Sequence, residues 1–136
     1  MTALFADTFY WIALTDVTDS SHQAAVELTF ARDADLIVTT DEVLVEFLTF
    51  FAVPEPMRRK AVIIAQAILK DPGVRVVPQT RASFLAGMAL YGQRPDKRYS
   101  LTDCISMQTM RSEEIYEVLT NDRHFQQEGF RALFRE

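Results

Sequence analysis

A chain of 136 residues, 49% of them apolar, has the size and hydrophobic content of one folded domain spanning 1–136, with a core of its own. No apolar run approaches the ~18 residues that cross a bilayer, the start "MTALFADTFYW" has no basic leader segment, and the lone Cys104 excludes a disulfide framework or a cysteine zinc site. The expectation is a cytoplasmic protein with no membrane association; the net charge of −5 argues against broad adhesion to nucleic acid, though not against an enzyme whose acids gather around cations.

The chain alternates between short apolar runs and helical periods. "ALFAD" (3–7) reads as a buried first strand ending in an acid, followed by helices over "TFYWIALTD" (8–16) and "SSHQAAVELTFARD" (20–33), the second capped by Ser20 or Ser21. "ADLIVTT" (34–40) is a second strand. "DEVLVEFLTFF" (41–51) is a helix whose start is marked by Thr39 and Glu42 in capping-box spacing. Pro54 and Pro56 break the chain before a helix over "MRRKAVIIAQAILK" (57–70), and "DPG" turns it into a third strand, "VRVV", that stops at Pro78. "TRASFLAGMALYGQ" (80–93) is helical, "RPDKRY" a polar loop, and "LTDCISMQTMR" (101–111) helical again, with Ser100 and Asp103 in capping-box spacing. "IYEVLT" is a fourth strand, "NDRHFQQEG" a short helix, and "FRALF" a small fifth strand.

Short strands that are apolar on both faces and separated by helices predict an α/β fold, a parallel sheet of four or five strands flanked by helices on both faces. Such sheets bind ligands beyond the carboxyl ends of their strands, where strand order reverses. Four carboxylates recur at that edge: Asp7 closes the first strand, Glu46 lies one turn into the helix after the second, Asp103 opens the helix before the fourth, and Asp122 follows the fourth. Asp103 and Asp122 each also have a plain structural reading as helix caps. Glu46 is harder to place that way, since it interrupts "VLVEFLTFF" and a buried unpaired carboxylate is costly. Oxygen ligands with no accompanying Cys or His set suit Mg²⁺ or Mn²⁺ better than zinc.

In "FADTFYWIAL", "VTTDEVLVEFL", "YSLTDCISM" and "VLTNDRHFQQEGF" the chain resembles the PIN-domain nucleases, especially the VapC-type toxin ribonucleases, over essentially its whole length. The resemblance implies that Asp7, Glu46, Asp103 and Asp122 bind Mg²⁺ or Mn²⁺ and run metal-assisted hydrolysis of RNA, leaving a 3′-hydroxyl and a 5′-phosphate. The family's small hydroxyl residues match Thr8, Thr102 and Thr120, with Asn121 beside the last acid. It further implies a homodimer and a small cognate antitoxin that often inserts an arginine into the acidic site.

Other residues have plainer readings. His124 reads as a surface or packing residue rather than a general base, His22 as structural, Cys104 as a small core residue, and "FYW" and "FLTFF" as core or partner-helix packing. An acidic pocket needs cations nearby to hold phosphates. Two dense basic clusters exist, Arg58–Lys60 and the loop with Arg94, Lys97 and Arg98, and the loop is the better RNA-contact candidate because it leads into the Asp103 helix. A phosphoacceptor receiver domain would need an acid after the third strand, and "VRVVPQT" has none. A non-catalytic PIN-like interaction module would not need intact acids, and a stand-alone nuclease would have no antitoxin.

Overall fold

The structure, a computed structural model, describes residues 2–32 and 35–135. The strands are β1 (Ala3–Ala6), β2 (Leu36–Thr40), β3 (Val74–Val77), β4 (Glu117–Leu119) and β5 (Arg131–Ala132), the inner ones mainly apolar and buried while Arg75 of β3 and Arg131 of β5 stay exposed at the edges. All pair in parallel in the order β3-β2-β1-β4-β5. The connections among the first three strands step one way from β1, and those leading to β4 and β5 step the other. Right-handed crossovers in opposite directions cover both faces of the sheet with helices. β1 is the hinge of this arrangement: Leu4, Phe5 and Ala6 are all fully buried, with Val38 of β2 and Val118 of β4 beside them.

The helices are α1 (Thr8–Thr15), α2 (His22–Ala31), α3 (Asp41–Phe50), α4 (Glu55–Lys70), α5 (Arg81–Gln93), α6 (Leu101–Ser112) and α7 (Arg123–Gln127). Three local expectations change. The N-cap of α3 is Thr40, whose hydroxyl accepts the Val43 amide at 3.1 Å. Thr39 instead points into the core, donating to the Ala6 carbonyl at 2.8 Å and accepting from Trp11 Nε1 at 3.3 Å. Ser21 occupies the N-cap of α2 but its hydroxyl caps nothing; its own amide is taken by Asp19 at 2.8 Å. Helix α4 begins two residues earlier than the proline pair suggested, because Pro56 lies in the first turn, where no intrahelical N–H is required. Part of the expected second strand, Ala34, and of the second helix, Asp33, lie outside the described residues.

The core gathers Phe5, Phe47, Met107, Met110, Leu119 and Phe125, with Tyr10, Trp11 and Phe51 almost fully enclosed. The aromatic runs are therefore mostly core, although Phe50 is 58% exposed. Cys104 is buried, and burial followed by the nearby Asp103 charge pushes its thiol up to about 11. His22 ties α2 to α1 through Nδ1 and the Ala13 carbonyl, 2.7 Å apart.

Candidate active site

Strand order reverses between β1 and β4, so the carboxyl ends of these two strands flank a crevice at the switch point. Asp7 follows β1 directly and is 7% exposed. Its Oδ2 accepts the Thr120 hydroxyl at 2.9 Å, across the end of β4. Burial first, then the charge of Asp103 and, to a smaller degree, that of Glu46, push the Asp7 carboxyl up to about 7, with the Thr120 and Thr8 hydrogen bonds opposing. Asp7 thus feels the charges of acids carried by two other elements, α6 and α3. Glu46, half-buried on α3, accepts the Thr8 hydroxyl at 2.6 Å, so α1 and α3 are joined at the same edge.

Asp103 sits at N3 of α6 in a complete capping box: Ser100 Oγ accepts the Asp103 amide, and Asp103 Oδ2 accepts the Ser100 amide, both at 3.0 Å. The same oxygen lies 3.3 Å from His124 Nδ1. Burial raises the Asp103 pKa, the Ser100 amide opposes it, and the Asp122 charge raises it further. Asp122 is the N-cap of α7, accepting the His124 amide at 2.9 Å, and its Oδ1 also stands 3.3 Å from His124 Nδ1. An Nδ1–H here would donate to Asp103, since an ionised carboxylate only accepts. Ligand atoms of Asp103, Asp122 and His124 all lie within 4.8 Å of one another, close enough to share a cation.

The other sequence candidates are spread out. Thr8 and Thr120 touch the acids, as above. Thr102 turns to a groove shared with Glu42, Thr80 and Phe84. Asn121 is exposed, and its carbonyl accepts Arg135 Nη1 at 2.9 Å. Arg94 donates from Nε to Glu128 at 2.6 Å, Lys97 lies 3.6 Å from Asp96, and Arg98 is exposed.

Two residues that sequence reasoning undervalued belong to this region. His124 was legible in principle, since it lies two positions after Asp122 at the start of a capped helix, but a single imidazole gave no reason to bring it to Asp103. Glu128 had no signal at all in "QQEG". Its side chain is 5% exposed, and its two oxygens accept Arg94, Arg111 (2.6 Å) and the Tyr99 hydroxyl (3.2 Å). Burial would raise the Glu128 pKa, but the hydrogen bonds from Arg94 and Arg111 prevail and hold it low. Burial and the Glu128 charge push the Tyr99 phenol up to about 12. The Tyr99 ring in turn packs against His124, centroids 5.3 Å apart. The clamp thus joins the ends of α5, α6 and α7, and Tyr99 carries it to the starts of α6 and α7, where Asp103 and Asp122 lie.

A doubly wound parallel sheet with clustered carboxylates at its switch point defines a class of small α/β domains with an acidic, cation-suited crevice. The chain belongs to the PIN domain family, whose sequence model matches residues 4–130. Among curated proteins it is similar to the 23S rRNA-specific endonuclease VapC20 of Mycobacterium tuberculosis, in strains CDC 1551 / Oshkosh and ATCC 25618 / H37Rv, with 28% identity over 127 residues. That match covers 93% of this chain and 95% of the relative. The crystal structure of M. tuberculosis VapC20, described as a sarcin-ricin loop cleaving toxin, superposes with a TM-score of 0.83 at 28% identity, over 93% of this chain and 95% of that one. The family resemblance and the α/β fold read from the sequence both hold. Among the described residues, no helix is long and apolar enough to cross a membrane.

Proposed function

We propose that the chain is a Mg²⁺- or Mn²⁺-dependent endoribonuclease, the toxin of a toxin–antitoxin pair, with Asp7, Glu46, Asp103 and Asp122 as its metal-holding acids. The observation that carries this reading is the state of Asp7: a buried carboxyl raised to about 7 by burial and by neighbouring acids. Such a cluster is expensive without a counter-charge, and perturbed carboxylates in a cleft are a functional signature. An all-oxygen set with one imidazole beside it fits a hard divalent cation. When bound, such a cation supplies Lewis acidity and a more acidic water for attack on the phosphodiester.

The chain's own residues prepare the site. Thr120 and Thr8 fix the carboxylates of Asp7 and Glu46, and the Ser100 amide and His124 fix Asp103. In this reading the acids after β1, on α3, on α6 and in the β4–α7 turn would hold the cation against the phosphate. Lys97 and Arg98, exposed in the loop before α6, are the candidates to meet flanking phosphates. Arg94 is committed to Glu128 and serves there as a brace.

For partners, the reading includes a homodimer and a small antitoxin. Its support is apolar surface: Val45, Phe50, Val53, Val62 and Ile63 on the α3–α4 side, and Leu85, Met88 and Tyr91 along α5, all stand 45–79% exposed. Large apolar side chains left this exposed suit protein contact. Because the relative is a 23S rRNA-specific endonuclease, ribosomal RNA is the first substrate to offer. Purified protein should cleave RNA in Mg²⁺ or Mn²⁺ and stop with EDTA, and sequencing the new 5′ ends should locate the site. Cleavage that persists in EDTA would contradict the mechanism.

A further inference from the structure

Beside the acids, on the β3 side, lies an open groove of about 680 Å³ between the first turns of α5 and α6 and Glu42 of α3. Two residues join it to the candidate active site. Thr102 immediately precedes Asp103 on α6, and Glu42 lies one helical turn before Glu46 on the same flank of α3. The floor is fixed, because Asp41 Oδ2 accepts the Gln79 amide at 2.9 Å and ties the β3–α5 turn to the start of α3.

The α5 wall carries a cation on an aromatic ring. The Arg81 guanidinium lies 5.6 Å from the Phe84 centroid, Phe84 is 37% exposed, and Arg81 forms no ion pair among the described residues. Thr80 and Ser83 close a capping box, while the Arg81 and Ala82 amides have no partner among the described residues at the positive end of a 13-residue helix. Glu42 is the one carboxylate of the lining and forms no ion pair with Arg81.

We propose that this groove receives the single-stranded RNA flanking the scissile phosphate, with Arg81 holding one backbone phosphate and Phe84 stacking on a base. The inference rests on the nuclease reading above and deepens it by giving the strand a path. An acidic crevice repels the polyanion it must cut, so the strand needs a cation on its way in or out. Arg94 is neutralised by Glu128, and Lys97 and Arg98 lie outside the groove, whereas Arg81 lines a groove whose Thr102 is next to Asp103 on α6 and whose Glu42 is one turn from Glu46 on α3. A cation beside an exposed ring suits contact with the backbone and a base of a single strand.

The test is fluorescence anisotropy of a fluorescein-labelled uridine dodecamer, with Ca²⁺ replacing Mg²⁺ to prevent turnover, over a range of salt. Arg81→Gln should weaken binding about tenfold and flatten the log–log salt dependence by about 0.7, the loss of one single-strand phosphate contact. Phe84→Ala should weaken binding about tenfold with the slope unchanged. Arg59→Gln, on α4 and paired with Glu55, should bind as the native protein does. The inference is overturned if both α5 variants bind normally, if the native protein does not bind the dodecamer, or if Phe84→Ala binds normally but dissociates a homodimer. The last outcome would assign the groove to a second copy of the chain. Cleavage of total RNA with Mn²⁺ separates the two levels. A protein that cleaves while its Arg81 and Phe84 variants bind normally loses only the groove, and one that cleaves no RNA loses the nuclease reading and the groove together.

Discussion

At Asp103 a single oxygen, Oδ2, accepts the Ser100 amide at 3.0 Å and lies 3.3 Å from His124 Nδ1, so a helix-capping residue and a member of the acidic cluster are one side chain. Asp122 combines the same two duties at α7. The sequence posed cap and site as rivals, and its spacings could not show that one carboxylate satisfies both. Asp7 carries the clearest pH signature. Its folded pKa of about 7 lies above the 3.8 of an unperturbed aspartate. Below pH 4 both states hold the proton and there is no penalty. From there to about 7 the unfolded chain releases its proton while the native chain keeps it, so stability falls as pH rises, and it levels off above 7. Metal-free protein should therefore lose on the order of a few kcal/mol between pH 4 and pH 8 through this residue. Asp7→Asn should flatten that slope in urea titrations at several pH values; an unchanged slope would show that Asp7 is not the titrating group.

The strand and helix order was legible because apolar runs and helical periods alternate without ambiguity, and the Ser100–Asp103 capping box was legible from spacing alone. Thr39 and Thr40 show where that method stops. The two are adjacent and chemically alike, and only the alternation of β2 against β1 sends Thr39 inward to the Ala6 carbonyl and leaves Thr40 to cap α3. Packing between α5 and α6 was equally hidden. A methyl at Gly87 would collide with Cγ1 of Ile105 and stand 3.1 Å from its Cα and N. Gly87→Ala should cost about 1–3 kcal/mol by overpacking and, by displacing α6 with Asp103, reduce cleavage as well. Loss of stability with full activity would show that α6 can shift without moving the acid. Glu128→Ala should leave two guanidiniums without their carboxylate. Because each is about a third exposed, water offsets part of the loss, and a cost of about 1–3 kcal/mol is expected by thermal or urea unfolding. A neutral result would remove the brace from the account.

At the scale of the whole molecule, the strand order is what the linear sequence withheld. Acids separated by up to 115 positions reach one edge only because β1 lies between β2 and β4, and of these Asp103 and Asp122, with His124, bring ligand atoms within 4.8 Å of one another. Carboxylates crowded at this edge disfavour one another's charged forms, and a bound cation would offset that repulsion. The central claim is that this edge is a metal site built from shared acids. It is tested most directly by the rise in melting temperature that Mn²⁺ gives native protein and Asp103→Asn. Asparagine keeps an oxygen for the Ser100 amide but removes one of the crowded charges, so the metal-free variant should melt at the native temperature or above it. A cation stabilises only as far as it binds the folded state, and the Mn²⁺ shift should therefore shrink sharply in the variant. A variant that melts lower yet keeps the full Mn²⁺ shift would make Asp103 a helix cap and nothing more, and would contradict the account.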